Sequence, residues 1–493
     1  MGLDVSYKGE QIARLSATGT ATLKLAGKTC EGDILLSYST GADVIFYDSY
    51  DHSVAASYSA TEFATLTALP PNPAHAGLTA QGWNWTLENA KAYVAKYGKL
   101  IIGQMYITDD GKTRIHIYLE PGRTTPVLGV CVNGSVTVDW GDGSEPDTLT
   151  GTSLSTMSWT DNHAYASAGD YVITLTADGS IAFMGDSYMT GVLRANSVNT
   201  ELNGVYANAV KAVEIGSGVD GIGVYSFYGC YSLSHVTIPR GIDEIETGAF
   251  QSCYSLGGIT IPEGVTTVNG FRDCRNLKYI AIPASITTIK DYALSYCYTI
   301  ETITIPEGVT QIGKYAFSVD YSLVNIILPD TVTSIGSNAF ANCQRLACIT
   351  IPDSVDSIDE KVFAGCSRLK EIVIQDGVTS VGKSAFSSCT RLTTVAIPES
   401  VTSIKKQAFS SCSCLTHITI PSGVTSIEMQ AFSSCSSLAE FQILAWTPPT
   451  AGNLMFGSTA SDLVIYVPKG TLADYQAATG WSTYASKMQE ADA

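Results

Sequence analysis

Leu346-Ala347-Cys348-Ile349-Thr350-Ile351-Pro352-Asp353-Ser354-Val355-Asp356-Ser357-Ile358-Asp359-Glu360-Lys361-Val362-Phe363-Ala364-Gly365-Cys366-Ser367-Arg368 is one period of a repeat that decides the architecture of the chain. Its pattern is Leu-x-x-Ile-x-Ile-Pro-x-x-Val-x-x-Ile-x-x-x-Ala-Phe-x-x-Cys, and the Ile-Pro step recurs at or near Pro239, Pro262, Pro283, Pro306, Pro329, Pro352, Pro398 and Pro421. The steps are 23 residues, except one of 21 where Val268-Asn269-Gly270-Phe271 is two residues short, and Gln375 takes the proline place in one turn. One such unit cannot bury its own apolar residues, whereas stacked units bury them between neighbours. Leu-x-x-Ile-x-Ile reads as a strand that proline ends by removing a ladder donor. Val-x-x-Ile gives a second short extended piece, and Ala-Phe-x-x-Cys a tight turn or short helix. The period predicts a β-solenoid of about ten 23-residue turns.

Nine of the 13 cysteines fall in one repeat column: Cys230, Cys253, Cys274, Cys297, Cys343, Cys366, Cys389, Cys412 and Cys435. Equivalent residues of a solenoid stack with parallel side chains, so these are expected to be buried free thiols acting as small hydrophobes. Neither their spacing nor any histidine partner suits zinc, and a thiol ladder favours synthesis in a reducing compartment.

The repeat residues resemble the BspA-type (treponemal) class of leucine-rich repeats, over about residues 216–446. The segments Trp446-Thr447-Pro448-Pro449 and Ile465-Tyr466-Val467-Pro468-Lys469-Gly470, followed by Tyr475, Trp481 and Tyr484, resemble the same family's C-terminal end. Physically this is a cap, a last strand and an amphipathic helix that cover the open edge of the final turn. The resemblance implies a surface or secreted protein with a role in adhesion.

Upstream, Val138-Asp139-Trp140-Gly141-Asp142-Gly143, His163-Ala164-Tyr165 and Gly169-Asp170-Tyr171-Val172-Ile173-Thr174-Leu175 resemble a PKD-type (polycystic-kidney-disease) domain. That implies an Ig-like β-sandwich over 127–185, and the alternating strands fit one. Asp139 and Asp142 are weighed as calcium ligands, but two carboxylates without a third favour turn formation. Residues 1–40 read as short strands and resemble N-terminal modules of phage and prophage structural proteins from gut Firmicutes. Residues 41–126 read as α/β, with Ser59-x-x-Glu62 and Thr86 opening helices and Gly98 closing the second.

The expected fold is thus multidomain and mainly β. It comprises a small β attachment module (1–40), an α/β module of unknown role (41–126), the PKD-like sandwich (127–185) and a linker with the solenoid N-cap (186–215). The solenoid (216–446) and its cap (447–493) follow. The solenoid is expected to fold without residues 1–200.

The net charge of −18 is spread along the chain, which argues against nucleic acid as a partner. The first residues lack an apolar segment, so no signal peptide is expected, and no apolar run is long enough to insert in a membrane. Gly111-Lys112-Thr113 is not a phosphate loop, because Tyr106 stands where its first glycine belongs. The six histidines are scattered in sequence, and no catalytic constellation, metal site or cofactor site emerges. An enzyme with its active site in 41–126 is therefore the weakest of three readings.

A binding protein is preferred, either tail-associated on a virion or an adhesin on a cell surface or secreted. Its partner is expected to be a surface protein or glycan of a target cell, and the N-terminal modules are expected to attach to other tail proteins. Repeat registration stacks Tyr231, Tyr254, Tyr298 and Tyr321 in one column, interrupted by Arg275, and Arg345, Arg368 and Arg391 one residue further along later turns. Stacked tyrosines offer contact area and arginines a planar donor fork, which makes these seven the candidate ligand-binding residues. The competing reading is that the tyrosines pack on one another. The outward strand positions, such as Tyr279 and His417, are the next candidates.

Overall fold

A computed structural model describes residues 3–7, 10–15, 21–25, 28–32, 43–185, 191–194 and 206–491. Part of the expected linker, 186–190 and 195–205, lies outside the described residues. The chain forms two compact units, one of Met1–Ile289 with Ala293–Gly308, the other of Lys290–Tyr292 with Val309–Ala493.

In the first unit, β1 (Leu3–Tyr7), β2 (Glu10–Leu15), β3 (Ala21–Leu25) and β4 (Lys28–Gly32) form an antiparallel meander. The α/β module follows as β5 (Val44–Asp48), β6 (Ser53–Tyr58), α1 (Ala60–Thr65), β7 (Leu78–Trp83), α2 (Leu87–Tyr97) and β8 (Leu100–Thr108), with sheet order β6-β5-β8-β7. Ser59 and Glu62 form a reciprocal capping box, Thr86 accepts the Asn89 N–H, and left-handed Gly98 ends α2. These are the signals the sequence carries.

The next strands are β9 (Thr113–Leu119), β10 (Val127–Asp139), β11 (Asp147–Trp159), β12 (Gly169–Phe183), β13 (Leu193–Arg194), β14 (Val210–Glu214), β15 (Val219–Ile222) and β16 (His235–Thr237). They make one sheet of order β11-β10-β12-β9-β14-β16, in which β13 joins β10 and β15 joins β12. The stretch 127–185, expected as an Ig-like sandwich, contributes β10, β11 and β12 to this sheet. Its three long strands are a wing of a sheet that runs through β9 into the first solenoid strands. Alternation tells which residues face a core, but not how many sheets enclose it or whose strands they are. Gly134 and Gly179 pair across this wing with φ of 117° and 114°. A Cβ on either would stand 2.4 or 2.3 Å from a carbonyl of the opposite strand.

About 12 turns of about 23 residues make up the solenoid, two more than the motif alone suggests. The extra turns come from strands such as β14 and Val464–Val467, which stack in register without the Ile-Pro signature. In the second unit Ile349 pairs with Ile372 and Ile358 with Val381, so each turn contributes two short parallel strands. Phe317, Phe340, Phe363, Phe386, Phe409 and Phe432 stack at 5.2–5.5 Å with rings within 11° of parallel. Tyr475 and Trp481 close the last turn, the hydroxyl donating to Ala445 O at 2.7 Å and the indole N–H to Pro449 O at 2.8 Å.

The cysteine column has a specific reason. From Cys253 onward each column thiol donates back to the phenylalanine carbonyl of the preceding turn, as from Cys366 Sγ to Phe340 O (3.2 Å) and Cys389 Sγ to Phe363 O (3.2 Å). Cysteine fills a small buried site and gives that carbonyl a second donor beside the cysteine N–H of its own turn, as from Cys343 N to Phe340 O (3.2 Å). Burial pushes the Cys366 thiol up to about 12. All 12 cysteines with described side chains are free.

The Ala-Phe-x-x-Cys segment is a pair of turns and not a helix. Asn338 and Asn342, before the Ala and the Cys, have φ of 61°, as have Ser384 (54°) and Ser388 (61°) a few turns on. The left-handed backbone aims each N–H along the stack, from Asn338 N to Glu360 O (2.9 Å) and from Asn342 N to Ala364 O (2.7 Å). Each such residue costs about 1 kcal/mol or more in intrinsic preference, which the inter-turn hydrogen bond offsets.

Candidate functional site

The tyrosine column of the first unit is packed on itself. Tyr231 and Tyr254 stack at 4.6 Å, and the Arg275 guanidinium lies 4.2 Å from the Tyr254 ring centre and 5.9 Å from that of Tyr298. Asp273 accepts from Arg275 at 2.8 and 3.3 Å and fixes that group. Arg275, which interrupts the column in sequence, completes it in space as a cation between aromatic faces. In the second unit Tyr321, Arg368 and Arg391 are exposed and Arg345 is half-buried. The seven residues are thus distributed over both units, four in a column whose first members are largely occupied by one another.

The outward strand positions differ more sharply between turns. In the first unit, Thr237 (1% exposed), Thr260 (3%), Ala281 (0%) and Thr304 (6%) occupy equivalent positions and are all buried. What buries them is the α/β module. Tyr47 packs on Tyr279 at 5.0 Å, and a Cβ on Gly258 would overlap the Tyr47 hydroxyl. A Cβ on Gly103 would strike Thr260 and Ala281.

Polar contacts at this interface follow from the Ile-Pro motif. In a parallel ladder the carbonyl of the Ile accepts from the residue that is proline in the next turn, and proline has no N–H. A row of carbonyls is left without donors, and buried carbonyls need them. The module supplies these: Asn84 Nδ2 to Ile261 O (3.1 Å), Trp85 Nε1 to Ile282 O (2.8 Å) and Tyr93 OH to Ile305 O (3.0 Å). Where a later turn lacks the proline the ladder closes itself, from Gln375 N to Ile351 O (3.3 Å) and Leu444 N to Ile420 O (2.9 Å). The first solenoid turns, expected to fold without residues 1–200, pair with β9 and are roofed by the module.

Within the second unit the same outward column reads Ile327, Thr350, Val373, Ala396 and Thr419; the first three are half-buried and the last two exposed. Trp446, just beyond the strand Glu440–Ile443, is 71% exposed.

Four of the six histidines, scattered in sequence, converge in the first unit. His52 bridges Tyr47 OH (2.6 Å) and Ser234 O (3.0 Å), while His75 Nε2 meets Asp48 Oδ2 at 2.7 Å. The Tyr50 ring lies 4.3 Å from His75 and 5.2 Å from His235, and His116 lies 3.4 Å from Glu214. Burial, with His52 and His116 nearby, holds His235 down at about 4. No spacing rule signals this cluster, because it is assembled from β5, the β5–β6 turn, the approach to β7, β9 and β16.

Between β10 and β11 the acidic pair Asp139 and Asp142 shapes turns. Asp139 accepts from Gly141 N (2.9 Å) and Asp142 from Ser144 N (3.1 Å) and from His163 Nε2 (2.9 Å). Burial raises the Asp142 carboxyl, but the hydrogen bonds from Ser144 and His163 outweigh it and hold it at about 2.

Stacked parallel turns with a Leu-x-x-Ile-x-Ile strand define a leucine-rich-repeat solenoid. Residues 202–323 and 310–439 match the "BspA type Leucine rich repeat region" family in six copies. A leucine rich cell surface protein from Faecalibacterium prausnitzii A2-165 is 32% identical over 46% of this chain and 70% of its own, with a TM-score of 0.34. The T. pallidum leucine rich repeat protein is 29% identical over 36% and 72% (TM-score 0.28), and a leucine-rich repeat protein from Bacteroides ovatus ATCC 8483 is 24% identical over 57% and 95% (TM-score 0.28). No curated protein matches. Residues 202–439 of the chain are thus leucine-rich repeats of the BspA type. Among the described residues no helix is long and apolar enough to cross a membrane.

Proposed function

We propose that this is a non-enzymatic binding protein that recognises a surface protein or glycan of a target cell through the outward strand face of the solenoid turns after residue 309. One observation carries this reading: the equivalent face of the earlier turns already serves as a protein-docking surface within the chain, whereas among the described residues that of the later turns is half-buried to exposed and has no such cover. A rigid, repeated strand face with half-buried Ile327 and Val373 and the exposed Trp446 offers apolar contact at low entropic cost. Tyr321, Arg345, Arg368 and Arg391 lie on the same turns and extend the site to acidic ligands. Tyr231, Tyr254 and Tyr298 belong with Arg275 and serve the scaffold.

The strands at 3–32 and their resemblance to phage modules support carriage on a virion tail, with those modules attaching to other tail proteins. The Faecalibacterium relative, a cell surface protein, supports the alternative of an adhesin. Two measurements test the reading. Labelled full-length chain is bound to a panel of gut bacterial cells, host epithelial cells and a glycan array, beside a Val373→Arg/Ala396→Arg/Thr419→Arg variant. Selective binding that the variant loses supports the proposal, and equal binding by a folded variant removes it. Antibody labelling of the producing culture then shows whether the chain travels with phage particles or stays on the cell.

A further inference from the structure

We propose that Asp48, Asp51 and His75 form a binding site for one divalent cation of the zinc class, at the edge of the α/β module. Each offers one ligand atom, and the three atoms lie within 4.8 Å of one another. They come from the end of β5, from the β5–β6 turn and from the segment ahead of β7, so the fold brings them together and the sequence does not.

The argument is one of charge and of orientation. Asp48 is 1% exposed, and among the described residues its ion-pair partner is His75. Asp51 adds a second carboxylate to the same small space. One buried and one exposed carboxylate thus converge on a single imidazole, and a divalent cation would offset the excess of negative charge. The ligands are also held from behind, as metal ligands generally are. Asp48 Oδ1 accepts from Tyr50 N at 3.0 Å, and its Oδ2 accepts from Tyr106 OH at 2.9 Å. Asp51 Oδ1 accepts from Ser53 N at 2.9 Å. The His75 ring is set between Tyr50 (4.3 Å) and Tyr106 (5.3 Å).

In this form Asp48 and His75 share a hydrogen bond at 2.7 Å, and a cation would take the place of that proton. One imidazole with two carboxylates suits zinc and its first-row neighbours, whereas calcium and magnesium prefer an all-oxygen set. Three protein ligands leave a position open on the exposed Asp51 side. The site stands next to His52, whose bond to Ser234 O joins the module to the solenoid, so a bound cation would stiffen that junction.

The test uses full-length reduced chain carrying Cys414→Ser, because Cys414 is exposed and stands three residues from the exposed His417. Zinc chloride is titrated calorimetrically into this protein and into Asp51→Asn and His75→Gln versions of it. The expected result is one zinc per chain, affinity reduced about tenfold or more in both variants, and no displacement of zinc by calcium. Absence of binding at millimolar zinc, or equal affinity in Asp51→Asn, overturns the proposal. Asp51 is exposed, so Asp51→Asn keeps the test decisive if His75→Gln fails to fold.

Discussion

The early and late turns of the solenoid are built from the same repeat and put it to different uses. From Thr237 to Thr304 the outward strand column is buried beneath an α/β module of the same chain; from Thr350 to Thr419 it has no such roof among the described residues, Thr350 and Val373 being half-buried and Ala396 and Thr419 exposed. The Ile-Pro motif explains why the early turns accept a roof at all. Each proline leaves a carbonyl without its ladder donor, and the module answers with an amide, an indole and a phenol. Docking onto this fold therefore needs donors aligned with the proline row and a flat apolar body between them.

The comparison breaks most visibly if the roof is loosened. Asn84 donates to Ile261 O and Ala281 O and accepts from Gly103 N, all in the interior. Asn84→Leu keeps the volume and strands Ile261 O and Gly103 N, while Ala281 O keeps the Ile261 N–H at 3.0 Å, and is expected to destabilise the first unit by about 2 kcal/mol or more. Urea unfolding followed by tryptophan fluorescence would read this, and a loss under about 1 kcal/mol would show that the row needs no donors.

Acid acts on the same junction. His235 has its folded value at about 4 against 6.5 for the free side chain, so the unfolded chain takes up the proton first. Its contribution to stability is complete above 6.5 and is lost as the pH falls from there to about 4. The loss is on the order of 2 kcal/mol once residual solvent screening is allowed for. Denaturation midpoints across this range should fall in the parent and fall less in His235→Gln.

A smaller effect sharpens the role of proline. Gln375 donates to Ile351 O where other turns have proline. Gln375→Pro makes that turn resemble its neighbours and should cost about 1 kcal/mol, the net worth of the one inter-turn hydrogen bond it removes from the buried Ile351.

The smallest effect concerns the stack itself. Ser411 has φ of 64°, a left-handed backbone that the inter-turn hydrogen bond to Ser433 O holds in place. Ser411→Gly relieves the side-chain strain but loosens the unfolded chain, so a change of no more than about 0.5 kcal/mol is expected. A larger loss would mean that the serine side chain itself is needed there.

The repeat was legible because its signal is periodic: the Phe, Cys and Pro columns announce a stack, and the caps at Ser59, Thr86 and Gly98 announce helices. Where the signal is local and chemical, sequence reading reaches as far as one element. Val136-x-Val138-x-Trp140 gives a strand with one buried face, but not the fact that β12 pairs with β9 of the preceding module and joins the solenoid sheet. The left-handed residues were hidden because Asn, Ser, Lys and Gln hold them in place of glycine. The tyrosine column was readable as a column, but not as one already filled by Arg275. The histidine and aspartate cluster was unreadable for a simpler reason: it joins β5 to β16 across nearly 190 residues of chain.

The central claim, one strand face covered early and open late, is tested most directly by thiol labelling. Single cysteines are placed at Thr260, Thr304, Ala396 and Thr419 in chain carrying Cys414→Ser, whose column thiols are buried. A maleimide should modify positions 396 and 419 quickly and leave 260 and 304 untouched in the native protein. Binding to a target cell should then protect 396 and 419. Modification of 260 and 304 as fast as the other two, or unchanged labelling of 396 and 419 on the cell-bound chain, would contradict the account.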